Sequence, residues 1–82
     1  MKVSFDSDDN YRLVWEDSRS RHPDKIIPWE QLTDEQKASH RKFTNEFWDA
    51  MLAGSMDELM KLPSIHLKIL REAGLLILGR PN

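Results

Sequence analysis

Residues 33–54 read TDEQKASHRKFTNEFWDAMLAG and predict the central helix of the fold. Thr33 is placed to cap the helix, and Gln36 follows at the spacing of a capping box. Gly54 is a typical residue at the C-terminal end of a helix. The expected helix therefore runs from Asp34 to about Ala53. Its apolar residues fall at three- and four-residue spacings on one stripe: Phe43, Phe47, Trp48, Met51 and Leu52.

The first two turns of this helix differ from the rest, because a polar row that includes Lys37, His40 and Arg41 replaces the apolar stripe. The chain enters the helix through RHPDKIIPWEQL, residues 21–32, in which Pro28 favours extended backbone at Ile27. We expect the loop, the extended segment and the first turns of the helix, residues 21–41, to form one corner. Six candidate ligand-binding residues belong to it: Arg21, His22, Trp29, Lys37, His40 and Arg41.

These residue types suit an anionic ligand that carries a flat ring. An indole such as that of Trp29 can stack on a ring, while Arg41 can bind phosphate with two hydrogen bonds and Lys37 as a point charge. His22 can orient the ligand or hydrogen-bond to it. A second interpretation stays open: Trp29 belongs to the core, and Lys37 and Arg41 form a solvated face that pairs with Glu30 or Glu46.

Outside this helix the sequence predicts both strands and helices. Lys2–Phe5 and Tyr11–Trp15 alternate apolar and polar residues around the turn-rich DSDDN, which favours a β-hairpin. Ser55 and Glu58 predict a second capping box for a short helix that ends at Pro63. A third helix is expected from Ser64 to Ala73, with Gly74 as its stop, and Leu75–Leu78 reads as a strand that joins the hairpin. The predicted fold class is α+β and predominantly helical: three helices, a small N-terminal hairpin and a short C-terminal strand.

Length and composition bound the function classes. A chain of 82 residues is expected to form one domain over 1–82, with a stability of about 4–12 kcal/mol. The N-terminus has no signal-peptide core and LLIL is too short to span a bilayer, so we expect a cytoplasmic protein. The net charge is −2, and the basic residues form only short clusters, which makes nucleic acid an unlikely partner.

The sequence contains no recognisable catalytic or metal-binding motif. The chain has no cysteine, three scattered histidines and no phosphate-binding or nucleophile motif. The acidic segment DSDDN, residues 6–10, begins like a calcium loop, but Tyr11 stands where that loop needs glycine and Asp17 where it needs glutamate. We therefore expect a protein that is not an enzyme and has no catalytic residues, metal site or cofactor.

The entry to the central helix resembles the RyR domain, the ryanodine-receptor repeat, in its small prokaryotic and phage form. The resemblance rests on His22-Pro23, Ile27-Pro28-Trp29-Glu30 with Leu32, and Glu35-Gln36-Lys37 with Arg41. Looser similarities follow at Leu62-Pro63, Leu70, Ala73-Gly74 and Ile77. Residues 22–78 are similar to the RyR core, and residues 1–21 form a divergent, hairpin-like start.

The resemblance implies a non-enzymatic binding module. In prokaryotes such modules are thought to sense nucleotide-derived messengers near defence systems. The ligand that the resemblance implies is therefore a small phosphate-bearing, nucleotide-derived molecule. The module would either sense this ligand or sequester it, as a phage-encoded ligand-sequestering protein (a sponge) does. Two alternatives come from the residues themselves. One is a protein–protein interaction module, a homo-oligomer or a partner-docking domain. An acidic partner segment is instead a second possible ligand of the binding module, at the corner formed by residues 21–41. The weaker alternative is a winged-helix-like DNA-binding protein.

Overall fold

The computed structural model describes residue 3 and residues 5–75 of the chain. Over this part the chain forms four α-helices: α1 (Asp9–Arg21), α2 (Asp34–Ala53), α3 (Met56–Leu59) and α4 (Ser64–Glu72). A single 3-10 turn, Trp29–Gln31, precedes α2. No strand occurs among the described residues, so the fold is all-α.

The α+β prediction is wrong, and the error lies mainly in the N-terminal hairpin. Its second strand, Tyr11–Trp15, lies inside α1. Alternation would bury Leu13 and expose Val14, but Leu13 is 47% exposed and Val14 is 5% exposed. Burial of Tyr11 and Val14 instead follows the helical spacing of three residues. The helix also has Asp9 in its first turn and Arg19 and Arg21 in its last, as the helix dipole favours.

The other two predicted strands have different outcomes. Val3 and Phe5 belong to neither a helix nor a strand. The backbone N–H of Val3 donates instead to Oδ1 of Asp49 on α2, at 2.7 Å. In the predicted strand Leu75–Leu78, Leu75 lies in a bend, and residues 76–78 lie outside the described part of the chain.

The predicted bounds of α2 and the predicted start of α3 are confirmed, whereas α3 ends at Leu59 instead of extending to Pro63. The Thr33 hydroxyl accepts the Gln36 N–H at 3.1 Å, and the Gln36 side chain accepts the Thr33 N–H at 2.9 Å, so the capping box of α2 is complete. Ser55 likewise accepts the Glu58 N–H at the start of α3. The chain leaves α4 through Gly74, whose φ of 76° lies in the left-handed region that glycine tolerates.

The core is organised around Trp48 of α2. Its side chain is 0% exposed and packs edge-on against Phe5 at 5.7 Å and on Tyr11 at 6.3 Å, both between ring centroids. Leu70 of α4, also 0% exposed, belongs to the same cluster. Three parts of the chain therefore meet at one ring. Among residues 5–75, no helix combines the length and the apolar character that crossing a lipid bilayer requires.

Candidate functional site

An open groove of about 940 Å³ runs along the first half of α2. Its sides come from α1, from the segment before α2 and from α2 itself, and α4 contributes one histidine. The side chains that give it an apolar, ring-rich lining include Trp15, Leu32, His40, Phe43, Phe47 and His66. This volume lies within the range of about 300–1,000 Å³ that is usual for small-molecule sites.

One side of the groove is a pair of parallel phenylalanine rings. Phe43 and Phe47 are one helical turn apart on α2, so their side chains lie on the same face. Their ring centroids are 6.4 Å apart and their planes differ by only 3°. Phe43 is 70% exposed, the largest exposed fraction among the large apolar side chains described. The Phe43 ring therefore presents uncovered apolar surface to solvent.

The rings of Trp15 and His40 pack together on another part of the lining. Trp15 meets His40 edge-on, with ring centroids 5.1 Å apart. The indole N–H of Trp15 donates to the carbonyl oxygen of Ile27 at 2.7 Å, which fastens the loop before α2 to α1. His40 Nε2 lies 3.2 Å from the carbonyl oxygen of Tyr11. A carbonyl only accepts, so this nitrogen carries a proton and the ring is held in place by α1.

Both histidines of the groove favour the neutral form. Burial lowers the pKa of His40 below its ordinary value, while the hydrogen bond to the Tyr11 carbonyl acts in the opposite direction. Burial also lowers the pKa of His66, and the charge of Asp17 partly opposes that effect. At neutral pH the groove is therefore lined by uncharged imidazoles, which suits an uncharged ring better than a phosphate.

The predicted corner assembles differently from the expectation. Trp29 is 5% exposed and lies behind the groove, with its ring against Trp15 at 6.5 Å and His40 at 5.7 Å. Its backbone N–H donates to Oε2 of Glu16 at 2.9 Å. The ammonium of Lys37 lies 5.4 Å from the centroid of the Trp29 ring, a cation–π distance. The burial of Trp29 agrees with the second interpretation of the sequence, in which Trp29 belongs to the core.

The two predicted arginines lie far apart and are paired with carboxylates. Nη1 of Arg41 donates to both oxygens of Asp8, at 3.0 and 3.1 Å, and Nη2 of Arg21 lies 2.7 Å from Asp17. Asp8 and Asp17 are nine residues apart along α1, about 13 Å at the usual helical rise. His22 caps the C-terminal end of α1 and is exposed. Of the six predicted ligand-binding residues, only His40 lines the groove.

The expected partners of the polar row also differ. Glu30 pairs with Arg12 at 3.1 Å rather than with Lys37 or Arg41. Among the described residues, no cluster of three or more histidines and carboxylates has the geometry to hold a metal ion.

Apart from His40, the residues that line the groove were not predicted as site residues, and the ring-bearing ones among them are Trp15, Phe43, Phe47 and His66. Phe43 and Phe47 were assigned to the core stripe of α2, and Trp15 was assigned to a strand. The sequence does not separate Phe43 and Phe47 from Trp48, because all three belong to one apolar stripe, and the structure supplies the distinction. Thr44 and Trp48, both buried, form one row four residues apart, and Phe43 and Phe47 form the neighbouring row.

Comparison with known proteins found no matching family model, no matching curated relative and no matching solved structure. The resemblance to the RyR domain thus stays a prediction that rests on the residues quoted for it.

Proposed function

We propose that this chain is a non-enzymatic binding module and that its groove binds a ligand through a flat, ring-shaped group. The observation that carries the proposal is the phenylalanine pair, with Phe43 70% exposed and its ring parallel to that of Phe47. The ring of Phe43 is largely uncovered, and aromatic rings gain about 0.5–1.5 kcal/mol from stacking beyond the burial of their area.

The neutral histidines support the same conclusion. The groove lining combines apolar and aromatic side chains with polar ones such as Glu35 and Ser39, and His40 and His66 add ring nitrogens to it. Polar groups placed among apolar side chains are usual in a small-molecule site. A heteroaromatic ring, such as a nucleobase, offers both the flat apolar face and the polar edge that this lining suits. A nucleotide-derived ligand therefore remains within the proposal, with its base as the recognised part.

Recognition of phosphate has weaker support. Arg41 and Arg21 would have to leave Asp8 and Asp17 before they could bind an anion. Lys37 lies over Trp29, which does not line the groove. The ring is accordingly expected to contribute most of the affinity, and the phosphate little.

A titration followed by backbone amide NMR shifts tests this division. Adenosine supplies the ring without phosphate, and ribose 5-phosphate supplies the phosphate without the ring. We expect adenosine to shift the amides around Trp15 and from Ser39 to Phe47, and ribose 5-phosphate to leave them unchanged. Shifts with ribose 5-phosphate alone would indicate that the ligand binds at the corner formed by residues 21–41 and not in the groove. No shift with either compound, nor with adenosine monophosphate, would reject the proposal.

A second candidate function is protein–protein interaction, including homo-oligomer formation. Four further apolar side chains are between 44% and 53% exposed: Leu13, Ile27, Met56 and Met60. Methionine and aromatic side chains are common at partner interfaces. Light scattering coupled to size exclusion separates the two functions, since a self-associating module shows a mass that rises with concentration, whereas the ring-binding proposal requires no such rise.

A further inference from the structure

His66 of α4 connects the groove to the centre of the core. The indole N–H of Trp48 donates to Nδ1 of His66, with 2.8 Å between the two nitrogens. Trp48 is 0% exposed, so this hydrogen bond is shielded from water on the tryptophan side. The His66 ring also meets Trp48 edge-on at 5.8 Å and Phe47 edge-on at 6.1 Å. Packing on two sides therefore fixes its orientation.

The hydrogen bond also decides where the proton of His66 resides. An indole nitrogen can only donate, so Nδ1 has to accept and cannot carry a proton. In the neutral imidazole the proton then lies on Nε2. Moving it to Nδ1 would leave the buried indole N–H of Trp48 without an acceptor, which is unfavourable for a buried polar group. The Nε2–H form of His66 is thus strongly preferred.

The second histidine of the groove is in a different position. Nε2 of His40 donates to the Tyr11 carbonyl, and its Nδ1 lies 3.5 Å from the Thr44 hydroxyl. Both nitrogens of His40 therefore have neighbours within the protein. Nε2 of His66 has no hydrogen-bond partner among the described residues, and the residue lines the groove beside Phe47. His66 thus brings to the lining a nitrogen donor of fixed tautomer that makes no hydrogen bond to the described residues.

We propose that His66 determines the specificity of the groove: its Nε2–H, fixed by Trp48, selects rings that carry a hydrogen-bond acceptor at the edge. This inference rests on the proposed function, because it needs a ring in the groove. The ligand class is an uncharged heteroaromatic ring with a ring nitrogen or a carbonyl oxygen. A ring that has only donors or only carbon at that edge leaves Nε2–H desolvated and unpaired.

Indole and 7-azaindole form a matched pair of probes, because the second has the same shape and one additional ring nitrogen that accepts. We expect 7-azaindole to bind the wild-type protein about five- to tenfold more tightly than indole, which is the usual worth of one neutral hydrogen bond. In His66→Phe, which keeps an aromatic ring, the two probes should bind equally. Amide NMR titrations measure both affinities, and Met60→Ala, altered outside the groove, should retain the preference.

Long-range proton–nitrogen NMR of the imidazoles gives a second measurement that needs neither a ligand nor a variant. It should show Nδ1 of His66 unprotonated and Nε2 protonated in the free protein. A proton on Nδ1 would overturn the inference even if His66→Phe fails to fold. Equal binding of indole and 7-azaindole to the wild type would overturn it too, while leaving the ring-binding proposal intact. If neither probe, nor adenosine, binds, both proposals fail.

Discussion

Trp48 and Phe43 lie five residues apart on α2 and have opposite surroundings. Trp48 is 0% exposed and is enclosed by rings from the N-terminal segment, α1 and α4: Phe5, Tyr11 and His66. Phe43 is 70% exposed, and its aromatic partner is Phe47 of its own helix. Two large aromatic side chains on one helix thus have different neighbours because they lie on different faces.

The difference separates what maintains the fold from what is available to a ligand. Burying a large ring between several elements stabilises their arrangement, because the ring leaves water only when they are together. A ring that contacts only its own helix adds little to tertiary stability and keeps its face available. We therefore assign the row of Thr44 and Trp48 to stability and Phe43, in the neighbouring row, to binding. Phe47 contributes to both, because its ring also meets His66 of α4.

The largest expected effect is on the stability of Trp48→Ala. Removing a fully buried tryptophan costs about 3–5 kcal/mol, which is a large share of the about 4–12 kcal/mol expected for a domain of this size. The variant should be largely or fully unfolded at 37 °C, as measured by urea titration and circular dichroism. A loss of stability no greater than that of Phe43→Ala would contradict the assignment of the two rows.

The second prediction concerns pH, and its sign follows from the two groove histidines. Burial lowers the pKa of His40 and of His66 in the folded state, so the unfolded chain, near 6.5, binds protons first as pH falls. Their contribution to stability should be complete above about pH 6.5 and decrease as pH falls below it. Urea midpoints at about pH 7.5 and about pH 5.5 measure the change.

The control for this pH dependence is His22→Gln, which removes an exposed histidine and leaves both groove histidines in place. It should show the same fall in stability as the wild type. Replacing His66 with Gln should reduce the fall. A wild-type stability that does not change between the two pH values would argue against burial of neutral imidazoles.

A smaller effect is expected for Arg41→Ala. The ion pair with Asp8 is partly exposed, and such pairs contribute about 0–1 kcal/mol. Urea unfolding should show at most that loss, and the affinity for adenosine monophosphate should stay within about twofold of the wild type, since about 0.4 kcal/mol corresponds to twofold. If Arg41→Ala loses adenosine monophosphate binding but keeps adenosine binding, the phosphate is bound at the corner formed by residues 21–41, contrary to the proposal.

How much of this the sequence could predict depends on how local each signal is. The ends of α2 were predictable because the capping box of Thr33 and Gln36 and the stop at Gly54 depend only on neighbouring residues. The stretch Tyr11–Trp15 was not, because five residues fit a two-residue period and a helical period equally well. Only the burial of Val14, which requires α2 and α4, decides between them.

The site was less predictable than the fold for a related reason. Phe43 and Trp48 both belong to an apolar stripe on α2, and the stripe is wider than the surface that the other elements cover. Which row is covered depends on where α1 and α4 pack. The sequence predicts Arg41 and Trp29 as available to a ligand. In the structure Arg41 pairs with Asp8, and Trp29 packs against Trp15. Both partners lie in the segment for which the sequence predicts a hairpin, so neither contact is expected from the sequence.

The smallest expected effect on stability is that of Phe43→Ala, and its binding behaviour tests the central claim most directly. Its free energy of unfolding should stay within about 0.5 kcal/mol of the wild type, as for other surface substitutions. In an adenosine titration followed by amide shifts, the wild type and Met60→Ala should show the same shifts from Ser39 to Phe47, and Phe43→Ala should show none. Unchanged adenosine binding by a folded Phe43→Ala variant would contradict the account.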